Sequence, residues 1–371
     1  MPSQVYFANL RTRSAADNKT SKIARLFAAA GFGSLLAPDR LTAVKLHFGE
    51  MGNDSFLSPV LVAAVVDQVK RAGAKPFLTD TNTLYAGSRH NAVDHLATAL
   101  RHGFGPEVTG APTLIADGLF GENQAEVEIP GRRVTRAKVA GSIARAGAML
   151  VLSHFKGHEL AGFGGALKNL AMGCATGAGK REQHSPRFEV DPAKCVGCGE
   201  CARVCPEAAA VVAEGRASID KARCIGCGEC YTHCPEKAVE IDWRTEVPVF
   251  MERMTEYALA AVQGKAGRLG FMNFVLNVTP DCDCASWSDA PLVPDIGILA
   301  STDPVALDTA CRDLVNRAAA NPGTHLHRSG AGWAPGQDKF HGVWSHTQAD
   351  IQLAYGQELG LGSMDYELRE I

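Results

Sequence analysis

The sequence lacks the features that mark several large classes of protein. No apolar stretch is long enough to span a bilayer, because the alanine-rich runs are broken by charges or glycines, and the opening MPSQVYFANLRTR has no hydrophobic core of a secretion signal. A cytoplasmic chain is the resulting expectation. Charge of one sign is also missing: 37 basic residues against 40 acidic ones leave a formal charge of -3, and Lys and Arg form no run that would make a nucleic-acid or membrane-surface patch. Neither partner is expected. Nucleotide fingerprints are absent as well. GFGSLL at Gly31 lacks the third glycine of a dinucleotide turn, and GCATGAGKR has Cys174 where a phosphate loop needs glycine and Arg181 where it needs Ser or Thr. No flavin or nicotinamide signature is present, which leaves another ferredoxin-like protein as the expected redox partner.

Cysteine, by contrast, is plentiful, with 12 in 371 residues. Disulfide-rich secreted chains are short and carry a signal, so these thiols read as metal ligands. With 46% apolar residues the chain has material for a sizeable core and length for two or three domains.

Up to about residue 186, short apolar runs alternate with amphipathic stretches, the pattern of an α/β fold with a parallel or mixed sheet and flanking helices. Strands are predicted at Gln4–Leu10, Ala43–Phe48, Pro76–Asp80, Thr113–Ala116 and Ala148–His154, and helices at Ser21–Ala30, Pro59–Ala72 and Asn91–His102. The second helix has the clearest start, with Ser58 as N-cap and Pro59 at the first helical position. After residue 244 the pattern resumes, with a helix near Val249–Val262, apolar runs at Leu269–Val278 and Asp295–Leu299, and a helix from Pro304 to about Ala319. Two strands make a poor sheet alone. Residues 1–186 and 244–371 are therefore read as one α/β domain interrupted by an α+β insert at 187–243, the alternative being three domains in series.

That central segment repeats itself. RFEVDPAKCVGCGECARVCP, starting at Arg187, aligns without a gap on RASIDKARCIGCGECYTHCP, starting at Arg216, a period of 29. Each half carries CxxCxxCxxxCP, the spacing of bacterial two-cluster ferredoxins, in which a close triplet holds three corners of an iron–sulfur cube and the fourth cysteine ligates the other cluster. One [4Fe–4S] cluster is thus assigned to Cys195, Cys198, Cys201 and Cys234, and the other to Cys224, Cys227, Cys230 and Cys205. Gly197, Gly199, Gly226 and Gly228 let backbone N–H groups approach the sulfides. Zinc sites typically pair CxxC units across a longer loop and have no use for a third close cysteine.

Beyond the repeat, the chain resembles the DUF362 family of uncharacterised iron–sulfur centre proteins. The resemblance rests on KLHFGE (45–50), TDTNTLYAGSRHNAVDH (79–95), SHFKGHELAGFGGALKNLAMGC (153–174), DCDC (281–284), DIGILASTDPVALD (295–308) and LGLGSMDYEL (359–368), so it runs nearly end to end. It implies an α/β domain carrying a ferredoxin-type insert, and it implies no particular reaction.

Candidate site residues lie in these phrases. GFGGALKN (162–169) places glycines before a short helix bearing Lys168, a turn whose N–H groups suit a small anionic substrate, with Lys156, His158, Lys180 and Arg181 alongside. The plain alternative is a tight turn with solvated lysines. Cys282 and Cys284 would face one side of an extended segment, where they suit a third metal site or a redox pair, with a further ligand from Cys174, Cys311, His154, His158 or His184; two thiols that merely pack is the other reading. His47, Asp80, Asn82 and Tyr85 fall at or beyond strand C-terminal ends, the edge where open α/β sheets bind ligands. His47, His158 and Lys168 are the residues assigned to catalysis, a histidine supplying the proton that a reduction requires. The functional expectation is an oxidoreductase in which the clusters pass electrons to the small anion or the further metal site. A ferredoxin-like carrier or adaptor for a partner enzyme, and a metal or cofactor assembly protein, are the alternatives; a carrier needs only the repeat, which leaves the rest of the chain unexplained.

Overall fold

A computed structural model describes residues 2–371 apart from Ala86, 185–187, Ala222, 225–227 and Asp242. Its centre is an eight-stranded sheet built from β1 (Ser3–Asn9), β2 (Leu41–Lys45), β3 (Lys75–Asp80), β4 (Thr113–Ile115), β5 (Ala148–His154), β6 (Leu269–Val275), β7 (Gly297–Ser301) and β8 (Tyr366–Glu370). The spatial order is β8-β1-β7-β6-β5-β2-β3-β4. Every neighbouring pair is parallel except the two made by β7, which runs against both β1 and β6. The sheet is therefore mixed, and strands from both sides of the cysteine repeat share it.

The strands read as they do because both faces are covered. Along β5 (AMLVLSH) all residues are buried, with Met149 and Val151 entering one apolar core and Ala148, Leu150 and Leu152 the other. The first core is closed by α4 (Ala166–Cys174), α6 (Trp243–Val262) and α7 (Pro304–Arg317), and the second by α1 (Lys19–Ala29), α2 (Pro59–Arg71) and α3 (Ala92–Arg101). Helix α5 (Gly177–His184) follows α4 directly. On α2, Leu61, Val62, Val65, Val66 and Val69 are buried at helical spacing; Pro59 opens the helix as expected, whereas the Ser58 side chain makes no capping bond.

Three elements depart from the sequence expectations. β2 stops at Lys45 rather than Phe48, because the chain leaves the ladder there to form part of a cleft. α6 begins at Trp243, before Pro248, which sits within its early turns. β8 was not foreseen: its alternating YELRE is only partly buried, and it joins β1 as a charged edge strand. No helix among the described residues is long and apolar enough to cross a membrane.

The strand order also fixes where a ligand can sit. From β2 the chain winds outward through β3 and β4, then returns to place β5 on the other side of β2 and winds away through β6 and β7. The reversal between β2 and β5 is a topological switch point, and the crevice beyond the carboxyl ends of those strands is the binding edge of such sheets.

Residues 188–241 form a separate small unit beside this sheet. Phe188–Val190 pairs antiparallel with Val239–Ile241, and Ala210–Ala213 forms a hairpin with Arg216–Ile219. One-turn helices at Glu200–Arg203 and Glu229–Thr232 follow Gly199 and Gly228, which share φ 82 and ψ -3. The period of 29 is thus present in the backbone, down to the left-handed conformations of Ala208 (φ 47) and Lys237 (φ 49).

Candidate functional site

Two groups of residues have the convergence expected of a site. The first lies in the repeat. Cys195, Cys198, Cys201 and Cys234 surround a small hollow that is also lined by Val190, Ala217 and Val239. Its counterpart is lined by Cys205, Cys224 and Cys230 with Phe188, Ala210 and Ile219. Cys227, the remaining cysteine assigned there, is outside the described residues, as is Gly226. In each hollow the fourth cysteine comes from the opposite repeat. Backbone N–H groups point at the sulfurs: Ala209 to Cys205 and Ala238 to Cys234, both at 3.1 Å, and Ala217 to Cys195 at 3.3 Å. The N–H groups of Ala217 and Gly197 lower the pKa of the Cys195 thiol, so this environment favours thiolate. Among the described residues all the cysteines are free thiols.

The second group sits at the switch point. A small open cleft is lined by Lys45 and His47 from the end of β2, Ser153, His154 and Lys156 from β5 and its continuation, Lys168 and Asn169 from α4, and Cys282. Three lysines share this small volume, and each is held differently. Lys45 is fully buried, with Nζ 2.9 Å from Asp80 Oδ1 and 2.6 Å from Asn169 Oδ1. Lys156 Nζ lies 3.1 Å from the His154 carbonyl and 3.7 Å from Asp283. Lys168 Nζ faces the Cys282 sulfur at 4.0 Å. His47 lies among these cations, with Arg89 Nη1 3.0 Å from its Nε2. Burial first, and then the charges of Arg89, Lys156, Lys45 and Lys168, push its pKa well below the ordinary value, so its imidazole is neutral.

The glycine turn before α4 does not offer the anion site expected of it. The buried carboxylate of Asp308 on α7 already accepts the Ala166 and Leu167 N–H groups at 2.7 and 2.9 Å, together with the Asn273 side chain at 2.7 Å. An internal anion thus occupies the positive end of the helix. Gly165 is required for that approach, since a Cβ there would lie 2.3 Å from Asp308 Oδ1. Burial pushes the Asp308 pKa up to about 6 despite these three donors. The cations left with a donor to offer are instead Lys156 and Lys168 of the lysine cleft, since Asp80, Asn169 and the Leu46 carbonyl take all three donors of Lys45.

At the cleft wall, Asp281–Cys284 is a turn rather than the extended segment expected, with Ala285 N–H donating to the Cys282 carbonyl at 2.9 Å. The turn brings both sulfurs and a ring nitrogen of His158 within 4.8 Å of one another. The chain's many cysteines are compatible with a metal cofactor, and this proximity makes the pair the place to test for one outside the repeat. Of the other proposed partners, Cys174 faces the Asn169 carbonyl and Cys311 the Asn273 side chain, while His154 is engaged with Asp283 at 2.8 Å and with the carbonyls of Leu276 and Asn277. His184 stacks on Phe250. Hydrogen bonding from Cys284, together with Lys168 and Lys156 and against the opposing effect of burial, lowers the Cys282 pKa well below that of a free thiol. The same pairing, with burial, raises that of Cys284.

Around the cleft, buried charges lock one another. Asp283 accepts from His154 and Ser55, and although burial alone would raise its pKa, His154 and Lys156 hold it well below the usual carboxylate range. Glu50 accepts from Ser88 N–H at 2.6 Å and Arg89 Nε at 3.1 Å, and the single Tyr85 hydroxyl proton goes to the Cys284 carbonyl at 3.0 Å, with Glu50 Oε2 3.2 Å from the same oxygen. Asp80 and Tyr85 are therefore supporting residues of the cleft. Asn82 and Lys180 lie behind it, where Lys180 Nζ bonds the Asn82 carbonyl at 2.6 Å and burial lowers its pKa to about 8. Neither lines the cleft, and nor does Arg181. Lys45, Glu50, Arg89, Asp283 and Asp308 escaped the sequence reading. Each is a charged residue inside an otherwise apolar or family-specific phrase, which is the one signal the sequence carried.

Comparison with known proteins gives two distant structural likenesses and one family match. The chain is similar in fold to the lactate racemase apoprotein from Thermoanaerobacterium thermosaccharolyticum, at 12% identity and TM-score 0.38, over 74% of this chain and 51% of that one. It is likewise similar to a protein of known structure from Thermotoga maritima, at 12% identity and TM-score 0.36, over 81% of this chain and 60% of that one. The chain thus spans about half and three fifths of the lengths of these two proteins. The search among curated proteins gives no match. A family model described as "Domain of unknown function (DUF362)" matches residues 42–313, which take in β2 through most of α7 and both candidate sites. The chain belongs to the DUF362 family.

Proposed function

We propose that this chain is an iron–sulfur electron-transfer protein, and that it acts as an oxidoreductase on a small anion bound in the lysine cleft. The observation that carries the reading is the pair of cysteine-lined hollows, each completed by a cysteine from the opposite repeat. On this reading residues 187–243 are a ferredoxin-type insert. Cys195, Cys198, Cys201 and Cys234 would hold one [4Fe–4S] cluster, and Cys224, Cys227, Cys230 and Cys205 the other. Such clusters, when bound, supply one-electron transfer. The donor set fits them: soft thiolates in the bacterial spacing, hollows walled by apolar side chains, and N–H groups aimed at three of the sulfurs.

The residues of the cleft act on the substrate. Lys156 and Lys168 bind a carboxylate or phosphate, Lys156 being fixed by Asp283 and Lys168 reaching in from α4, while the buried Lys45, held by Asp80 and Asn169, adds positive charge behind them. His47 is neutral among these cations. An anion beside it offsets their charge and raises its basicity, so that binding itself prepares His47 to carry the proton a reduction consumes. Electrons are supplied by a ferredoxin-like partner in the cytoplasm.

The test is the composition of the full chain purified without oxygen. About eight iron and about eight acid-labile sulfide per chain, with an EPR signal on reduction by dithionite, are expected of two such clusters. Zinc bound at the repeat cysteines in the absence of sulfide would overturn the reading.

A further inference from the structure

We propose that Cys282 and Cys284 form a redox-active dithiol–disulfide couple in the wall of the lysine cleft. The Asp281–Cys284 turn places the two sulfurs within 4.8 Å of each other, with Cys282 buried against the cleft and Cys284 partly exposed. It is also held rigidly. The Asp283 carbonyl accepts from Glu50 N–H at 2.9 Å, the Asp283 carboxylate is bound by His154 and Ser55, and Tyr85 Oη donates to the Cys284 carbonyl. Lys168 at 4.0 Å from Cys282 and Lys156 on the same cleft make the surroundings electropositive, which is the setting of reactive rather than merely packed cysteines.

His158 decides between this couple and a third metal centre. Its Nδ1 accepts the N–H groups of Leu160 at 3.0 Å and Ala161 at 3.1 Å, so the ring proton resides on Nε2. Neither nitrogen then keeps a lone pair for a cation, whereas a histidine that ligates a metal donates from its other nitrogen. Two thiols remain, beside a ring that cannot complete a metal site.

The chemistry is balanced between them. Oxidation removes the two thiol protons, forms the Cys282 Sγ–Cys284 Sγ bond and passes two electrons to a small-molecule disulfide, whose S–S bond breaks as it takes up two protons, or one at a time to two oxidised proteins of the ferredoxin class, with the two protons going to solvent. Reduction is the reverse: two electrons come from a small dithiol, which closes to its disulfide and gives up its two protons, or in two steps from a reduced donor of the ferredoxin class with two protons from solvent at the partly exposed Cys284. The couple stands on the geometry of the turn; only its supply of electrons through the repeat rests on the function proposed above.

The test equilibrates the full chain anaerobically in dithiothreitol buffers of graded ratio, quenches it in acid, alkylates it and maps the modified cysteines by mass spectrometry. Iron and zinc are measured on the same samples. Expected is a single reversible midpoint at which Cys282 and Cys284 lose alkylation together and their peptide loses two hydrogens, while the buried Cys311 is alkylated throughout. Cys284→Ala should abolish the transition and leave the iron content unchanged. Alkylation of both residues at every ratio, or zinc bound at the pair, would overturn the couple. Loss of iron with the transition intact would overturn only the cluster reading.

Discussion

The repeat segment and the sheet-edge cleft are both polar sites, built in opposite ways. In the repeat, the chemistry-bearing residues are close in sequence and identical in both halves, and a short backbone pattern, repeated at Gly199 and Gly228, shapes each hollow. In the cleft the contacts that anchor it join residues far apart in sequence: Lys45 meets Asn169, His154 meets Asp283, and the start of α4 meets Asp308. A local site depends on its ligands, whereas a dispersed one depends on the whole sheet. Substitutions should therefore separate them, one class costing metal and the other costing stability or affinity.

The largest expected effect is Cys198→Ser, which should remove about half of the iron and the associated EPR signal. The thermal unfolding of the eight-stranded sheet should shift little, because no described residue of the repeat enters its cores. Collapse of the sheet in this variant would erase the distinction between the two regions.

Next is Asp308→Asn. An amide keeps one acceptor where the carboxylate has two, and it presents N–H to the N–H groups of α4. The expected cost is about 2–3 kcal/mol in urea unfolding at pH 7.5, with iron content unchanged. A cost below about 0.5 kcal/mol would mean that the helix start does not need the buried anion.

Lys168→Gln tests the cleft with little effect on the fold, since this side chain is only partly buried and faces a sulfur. Calorimetric titration with inorganic phosphate and with malonate should show affinity falling about tenfold, the loss of one charge-assisted contact. Equal affinity in the variant would remove Lys168 from the anion site.

The smallest effect concerns pH. His95 is fully buried, and burial lowers its pKa to about 3 from an unfolded value of 6.5. The unfolded chain binds this proton first, so stability is lost as pH falls below 6.5, by at most about 1.4 kcal/mol per pH unit. In His95→Gln, urea midpoints between pH 7.5 and 5.5 should fall less steeply than in the wild type. An unchanged slope would show that other groups govern the acid side.

The same contrast explains what the sequence made legible. The repeat was readable because its constraint is spacing, and the exchange of Cys205 and Cys234 follows from that spacing. The sheet was readable where both faces are buried, as along β5, and not at the edge strand β8, whose charged residues carry no apolar pattern. His47 could be placed at a strand end, and Lys168 on a helix after a glycine turn, from their phrases alone. Asp308 could not, since nothing in DPVALD says that its acid reaches across to another helix. The GFGG turn was accordingly read as open to a ligand, although the protein fills it with its own carboxylate.

The most direct measurement is the EPR spectrum of reduced Cys234→Ser, set beside those of Cys198→Ser and Cys224→Ser. If each hollow draws its fourth cysteine from the other repeat, Cys234→Ser should lose the same signal as Cys198→Ser and keep the one that Cys224→Ser loses. A spectrum matching Cys224→Ser would contradict the exchange, and with it the reading of the two hollows.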